Sequence, residues 1–230
     1  LKQIQLIRER IQMNELEYLF KHALAQEAVY ESTLLQQRKQ LHLKVAESIE
    51  RLFSERLHEF YGILALHYSR ADNPEKAEEY MTKAGEDALR SSSSSEALHY
   101  YQEVLRLYLD RLGSTADPEK IAKFEKNIGI ALYNKSQWAK AIEYMEKVLE
   151  RWGAPVPKTN IAGSLQLVCD LVVVLKTLYL PSRKVKPVSS ERENEIFDLY
   201  YKIATASMYI DLTRSFFISM LGLRRSTMYD

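Results

Sequence analysis

The chain has 230 residues, 46% apolar and 27% charged, enough to bury a substantial core, and this balance excludes an intrinsically disordered chain. Lys and Arg number 32 against 31 Asp and Glu, a net charge of +1, so no global field recruits nucleic acid or an anionic membrane. The single cysteine, Cys169, rules out an intramolecular disulfide and fits a reducing, cytoplasmic setting.

Seven Gly and six Pro leave few sharp turns, which favours an all-α fold over an all-β one. Leu1 opens an already polar stretch without a secretory signal or initiator Met, and Leu221–Asp230 break off without a helix stop. The chain therefore reads as a piece of something larger, truncated at both ends. Residues 1–53 read as helices, with room for a short strand at Glu17–Phe20. Gln37–Phe53 is amphipathic, with Leu41, Val45, Ile49 and Leu52 on one face, and His58–Arg70 follows through Phe60, Leu64, His67 and Tyr68. Asp72-Asn73-Pro74 joins polar capping residues to a Pro at a first helical position and starts a helix running to about Arg90.

Ser91–Ser95 reads either as a flexible tract or, through Ser93 and Glu96, as a capping box for a helix over Ser94–Leu112. Asp117-Pro118 repeats the cap-plus-Pro device, and Gly153-Ala154-Pro155-Val156-Pro157 ends the helix before it. Asn160–Leu180 is the most apolar stretch and has the length of a membrane span. Asp170 and Lys176 argue instead for a buried helix, because a charge at a bilayer centre costs about 3 kcal/mol. Arg183, Lys184 and Lys186 form a basic, Pro-bounded loop. Ser190 with Glu193 predicts a capping box for a helix from Glu191 to about Tyr209, and a last helix covers about Leu212–Leu223.

The chain also repeats itself. Gly85 and Gly129, Ala97 and Ala141, Tyr100 and Tyr144, Val104 and Val148, and Leu105 and Leu149 are all 44 residues apart. Tyr101 falls opposite Met145, and Ser94 opposite Trp138. A small residue, then Ala, then a large apolar residue is the skeleton of a tetratricopeptide-like helical hairpin. Its usual period of about 34 residues is stretched here by an insertion around Leu112–Lys120. The small residues let helices approach and the large ones fill the groove beside them. Such a unit must stack on neighbours, so the expected fold is a right-handed α-solenoid of these hairpins over 54–230, with clear copies at about 78–111 and 122–153.

Catalytic signatures are missing from the sequence. It has neither common glycine-rich phosphate loop, no nucleophile elbow, and no metal-ligand spacing among His22, His42, His58, His67 and His99. Neither a metal nor a cofactor is expected. Glu78-Glu79 and Glu86-Asp87 are adjacent on a helix and diverge, as surface charges do. The 15 tyrosines fall at helical spacing beside apolar residues, as in a solenoid core, and do not point to nucleic acid.

A second signal lies in Tyr18-Leu19-Phe20-Lys21-His22-Ala23-Leu24-Ala25-Gln26-Glu27-Ala28-Val29-Tyr30, Arg38-Lys39-Gln40-Leu41-His42 and Val45-Ala46-Glu47-Ser48-Ile49-Glu50. It continues through Leu64-Ala65-Leu66-His67-Tyr68, Lys83-Ala84-Gly85-Glu86-Asp87-Ala88-Leu89 and Trp152-Gly153-Ala154-Pro155-Val156-Pro157. These blocks resemble the regulatory region of STAND-type signal-transduction ATPases, especially those joined to class III adenylate/guanylate cyclases or to protein kinases. The resemblance covers most of the chain. It implies that residues 1–53 are the end of a winged-helix, ATPase-associated segment leading into the repeat array. It also implies that His22 stands where a Met-His-Asp-like motif places a nucleotide-sensing His, although Ala23 occupies the place of the Asp. The other reading of His22 is a helix residue packed against its neighbours.

The tetratricopeptide pattern puts the first helix of each hairpin on the concave, partner-binding face. The matching positions are Glu79, Thr82, Glu86 and Arg90, then Lys123, Lys126, Tyr133 and Asn134, with Lys126 and Asn134 suited to a peptide carboxylate. Solvated helix positions are the alternative. The function expected is a non-catalytic regulatory segment that engages a protein, a peptide or other domains of its parent chain, without nucleic acid or membrane insertion. A free-standing peptide-binding adaptor and the sensor of a STAND-type transcriptional regulator are the rival readings. A homo-oligomer through an exposed solenoid end, from Asn160–Leu180 and Ser215–Leu223, is a third.

Overall fold

The computed structural model describes residues 7–12, 15–157, 171–176, 179 and 188–229, and among these the chain is mostly helical. It divides into two compact units, Leu1–Tyr80 and Met81–Asp230.

The first unit opens with a departure from the all-helical expectation. β1 (Ile7–Gln12) and β2 (Glu15–Phe20) pair antiparallel, with Ile7 opposite Phe20 and Gln12 opposite Glu15. The short strand expected at Glu17–Phe20 is the last four of the six residues of β2. Ile7 and Ile11 are four positions apart and Leu16, Tyr18 and Phe20 two apart, both multiples of two, and this period of two overrides the helix propensity of the Glu and Arg between them. α1 (Ala23–Ser32) and α2 (Leu35–Leu52) follow. The helix expected from His58 begins at Tyr61 instead. A 3-10 stretch over Ser54–Phe60, broken by non-helical backbone at Arg56, precedes α3 (Tyr61–Arg70). α4 (Pro74–Arg90) starts at the expected Pro, and Asn73 Oδ1 accepts from the Lys76 amide at 3.2 Å. Ala46, Leu64, Ala65, Tyr68, Ala77 and Tyr80 form the buried centre of this unit. The amphipathic stripe of α2 does not enter that centre: Leu41 and Leu52 are 56% and 68% exposed.

The second unit is built of helical hairpins. α5 (Ser94–Leu112) is followed by a short 3-10 turn, Gly113–Thr115, then by α6 (Pro118–Asn134) and α7 (Trp138–Arg151). A helical stretch over 171–176 exposes Leu171, Val172, Val173 and Leu175 and buries Val174, so this part of the apolar run is not the buried helix expected of it. The rest of that expectation, and the basic loop with Arg183, Lys184 and Lys186, lies outside the described residues. α8 (Glu191–Ser207) and α9 (Leu212–Ser226) complete the unit. Helices pack on their sequence neighbours: α5 on α6, α6 on α7, α7 on α8, and α8 on α9.

Backbone detail follows the 44-residue spacing closely. α4 and α6 have 17 residues each and begin at Pro74 and Pro118, while α5 and α7 begin at Ser94 and Trp138. Both first helices end in the same turn. Ser92 and Ser136 adopt left-handed backbone at φ 62° and 57°, and the amides of Ser93 and Gln137 reach back to the carbonyls of Ala88 and Leu132 at 2.8 and 3.0 Å. This is the Schellman closure, which satisfies helix-end carbonyls that water would otherwise solvate. The serine tract is thus an ordered turn. Ser93 caps α5 through its backbone carbonyl only, without the side-chain bond of the expected capping box.

Asp117 caps α6 by accepting from Glu119 N at 3.0 Å, and Ser190 caps α8 by accepting from Glu193 N at 3.2 Å. The return half of that second box is missing, because the Glu193 carboxylate is held by Arg225 through two bonds of 2.8 Å. The stretch in the repeat is the extra length of α5 over α7 (19 residues against 14) together with the 3-10 turn.

Candidate interaction surface

The positions expected to line a partner-binding face divide by surroundings. On α4, Glu79 is exposed and 3.7 Å from Lys76 Nζ, Thr82 is half-buried, Glu86 is exposed, and Arg90 is exposed and 3.0 Å from Asp87. On α6, Lys123 and Asn134 are exposed, while Tyr133 is half-buried. Lys126 is tucked against α8, with its ammonium 2.6 Å from Glu195 Oε1. To hold a peptide carboxylate it would have to leave a charge-assisted bond already made.

That ion pair belongs to a polar seam between α6 and α8. Arg192 of α8 reaches the Glu119 carboxylate, and its guanidinium lies 4.2 Å above the Trp152 ring. The hydrogen bonds it donates to the Glu119 carboxylate hold the Arg192 pKa above its ordinary value. Beneath the seam, Tyr200 donates to the Ala154 carbonyl at 2.8 Å, tying α8 to the turn after α7. Below this lies an apolar core in which Ile142, Met145 and Leu149 meet Ile196, Leu199 and Ile203.

Tyr133 and Asn134 lie at a different place, the edge formed by the interhelical turns. Tyr133 meets Trp138 edge-on at 5.3 Å, and Trp138 stacks on Tyr209 at 5.0 Å with their planes 9° apart. Lys135 Nζ bonds Ser95 Oγ at 2.8 Å, so the α4–α5 and α6–α7 turns lie side by side. Met208, Tyr209, Ile210 and Leu212 stand exposed on the α8–α9 turn of the same edge. This aromatic cluster was hidden in the sequence because Trp138 and Tyr209 are 71 positions apart. Between α8 and α9 runs a groove of about 310 Å³ with an apolar lining.

In the first unit, His22 is exposed at the N-cap of α1, with extended backbone and no side-chain capping bond. Its carbonyl accepts from Ala25 and Gln26, so what it supplies to the fold is backbone.

Two polar constellations there went unanticipated. Glu50 of α2 accepts from Tyr80 and from Lys76 Nζ at 3.1 Å, beneath the stacked rings of Tyr68 and Tyr80. Burial alone would raise the Glu50 pKa, but bonds from Tyr80, Tyr68 and Lys76 outweigh it and hold the carboxyl below its ordinary value. Burial and the facing carboxylate raise both tyrosines. The second constellation joins three helices: Tyr30 OH lies 3.1 Å from His42 Nε2, and His42 Nδ1 lies 2.9 Å from His67 Nδ1. Burial lowers both imidazole pKa values, with Arg70 adding to it for both and His67 adding to it for His42.

These groups can fasten helices. Among the described residues no group of three or more His, Cys, Asp or Glu could hold a metal ion, and no helix is long and apolar enough to cross a membrane. No protein-family model matches the chain, and no curated protein matches it in sequence.

Proposed function

We propose that the chain is a regulatory, non-catalytic helical-repeat segment whose work is protein interaction. In this reading it is a right-handed α-solenoid of tetratricopeptide-like hairpins, cytoplasmic, inside a multidomain STAND-type ATPase linked to a nucleotide cyclase. One observation carries the repeat reading. The 44-residue spacing read from side chains recurs in the backbone as equal first helices, equal starts and the same left-handed serine at Ser92 and Ser136. Repeated hairpins of this kind present long surfaces and bind other chains.

The attachment to an ATPase rests on the Tyr18–Glu50 block, which a free-standing adaptor has no need of. The antiparallel hairpin directly ahead of α1 supports it, since the wing of a winged-helix module is such a hairpin. A partner regulates such a parent by binding one domain arrangement more tightly than another. His22 would then meet nucleotide only in the intact protein.

The test is twofold. The coding sequence upstream of Leu1 is expected to contain Gly-x-x-x-x-Gly-Lys-Ser/Thr followed by a helix. The purified chain is expected to fold and to hydrolyse no ATP. Without that upstream loop, the adaptor reading replaces the ATPase one. Turnover by the isolated chain overturns both.

A further inference from the structure

Helix α1 has ten residues and buries none of them. A helix that short is marginal in water by itself, so its place depends on the side chains that tie it to its neighbours. Those ties come from its last turn. The Tyr30 hydroxyl lies 3.1 Å from His42 Nε2 of α2, and the two rings meet edge-on at 5.9 Å. His42 in turn meets His67 of α3, Nδ1 to Nδ1, at 2.9 Å. Glu31 adds an exposed ion pair of 3.0 Å with Arg38.

The two rings bond one another only while they hold few enough protons. In the neutral pair Tyr30 donates to His42 Nε2, and His42 Nδ1 donates to His67 Nδ1. A first added proton turns the Tyr30 bond round, with His42 Nε2 donating and Tyr30 accepting, and the bond between the rings is kept. A second proton puts hydrogen on both Nδ1 atoms, and the bond becomes a contact between two cations. The charges facing the pair do not relieve it. Arg70 of α3 acts on both rings, and Arg38 of α2 and Arg70 lie 4.9 and 6.0 Å from the centre of the Tyr30 ring. The α1 carboxylate at this place, Glu31, is already bonded to Arg38. Both imidazoles are half-buried, and burial with Arg70 lowers their pKa values. Rings freed into water take up protons more readily than the closed pair, so acid favours the open form.

We propose that Tyr30, His42 and His67 form a proton-operated latch that holds α1 on α2 and α3 and releases it when both rings are charged. The β1–β2 hairpin, joined to α1 through Lys21 and His22, goes with it. α2 and α3 stay together, because Ala46, Leu64, Ala65 and Tyr68 remain buried between them and α4. Glu50 also keeps its bonds from Tyr80 and Lys76 down to the carboxylate range. The latch therefore moves one end of the first unit below about pH 6.5 without unfolding the rest. It does not depend on any attached ATPase or cyclase.

The experiment measures, on the full chain, the distance between spin labels at Leu24→Cys of α1 and Ile63→Cys of α3, both exposed positions, with Cys169→Ser to leave no other thiol. The expected result is one short distance at pH 7.5 and a longer one whose share rises about threefold or more by pH 5.0. The change should reverse on neutralisation, and the amides of Tyr61–Arg70 should stay protected from hydrogen exchange throughout. His42→Gln/His67→Gln should give one distribution at both pH values, since its amides bond without titrating. Tyr30→Phe cuts the latch from α1 but leaves the ring in place, so it should show the longer distance already at pH 7.5. A parent distribution that does not move with pH overturns the latch, as does a double variant that moves like the parent. Loss of protection over Tyr61–Arg70 together with the distance change also overturns it, because acid then unfolds the unit as a whole. Where the double variant fails to fold, Tyr30→Phe decides: the parent's short distance and acid response retained in it overturn the latch.

Discussion

The two units are held by different means. Around α2, α3 and the start of α4 the buried centre is made of alanines, tyrosines and Leu64, and the helices are fastened by charged and imidazole groups: Glu50 under Tyr68 and Tyr80, Lys76 on Glu50, and His42 against His67. Around α6 to α9 the centre is continuous aliphatic and aromatic packing, with Met145, Val148, Leu149, Ile196, Leu199, Ile203 and Ile218 all at 0–1% exposure, and the ions sit at its rim. Hydrophobic burial is non-directional and insensitive to pH, whereas hydrogen bonds to charged groups are directional and titrate. The second unit should therefore respond to lost volume and the first to lost charge or to acid.

The largest effect expected is in the dry core. Ile203→Ala removes a side chain with no exposed surface from the centre of the α7–α8–α9 packing and should cost about 3 kcal/mol. Urea unfolding with hydrogen exchange read by segment should show protection falling over Met81–Tyr229 more than over Tyr61–Tyr80. Equal loss in both segments breaks the comparison.

The two repeat copies sharpen it within the second unit. A Cβ at Gly85 would lie 2.9 Å from the rigid Tyr101 ring, while one at Gly129 would lie 3.0 Å from Met145 Cγ, on a flexible chain. Alanine gains about 1 kcal/mol over glycine inside a helix. At Gly129 that gain should offset the crowding, because methionine can turn aside. At Gly85 the ring must move in a packed site, so Gly85→Ala should be net destabilising by about 1 to 2 kcal/mol. Melting the two variants side by side tests the contrast, and a Gly129→Ala chain less stable than Gly85→Ala would refute it.

What could be read from the sequence was local or periodic. Pro74, Asp117-Pro118 and Ser190 announced helix starts because capping is chemistry between residues two or three apart. The repeat was readable because Gly85 and Gly129 both need a small residue at a crossing. The first strand of the N-terminal hairpin was missed, and the second foreseen only over Glu17–Phe20, because Arg8, Glu9, Arg10, Glu15 and Glu17 favour helix while only a weak two-residue alternation marks the strands. The stripe of Leu41, Val45 and Leu52 was visible as amphipathic, but periodicity does not say whether a neighbour covers it, and here none among the described residues does. Lys126 looked like a ligand contact until Glu195, 69 residues later in the chain, was brought to it. The His42–His67 and Trp138–Tyr209 contacts likewise join distant positions that no single helix relates.

The Glu50 fastening is the next test in size. Glu50→Gln keeps the shape but removes the charge that accepts from Tyr80 and Lys76, leaving a buried tyrosine hydroxyl with a weaker acceptor. The expected loss is about 1 to 2 kcal/mol, confined to the first unit. Tyr80→Phe should lose less, since it takes away the donor together with its need for a partner. A Glu50→Gln chain as stable as the parent would mean that the packing of Tyr68 on Tyr80 holds these helices by itself.

The smallest effect is the one that pH reads. With Tyr30 donating to His42 Nε2, the His42 Nδ1 proton is shared with His67 Nδ1, so the neutral pair is bonded throughout. One added proton can be accommodated, but two cationic imidazoles at 2.9 Å repel, and Arg70 adds a third positive charge. Nearby, Arg38 lies over the Tyr30 ring and pairs with Glu31. Both imidazole pKa values are lowered by folding, so the unfolded chain binds protons first as pH falls below about 6.5. The pair's contribution is therefore complete at pH 7.5 and declines on acidification, whereas that of Glu50, also lowered, persists until the carboxylate range. Between pH 7.5 and 5.5 the urea midpoint of the first unit should fall in the parent chain and stay flatter in His42→Gln/His67→Gln, with the imidazole resonances titrating below the usual range. A midpoint that drops equally in both chains would show that the histidine pair is not what makes the first unit acid-sensitive.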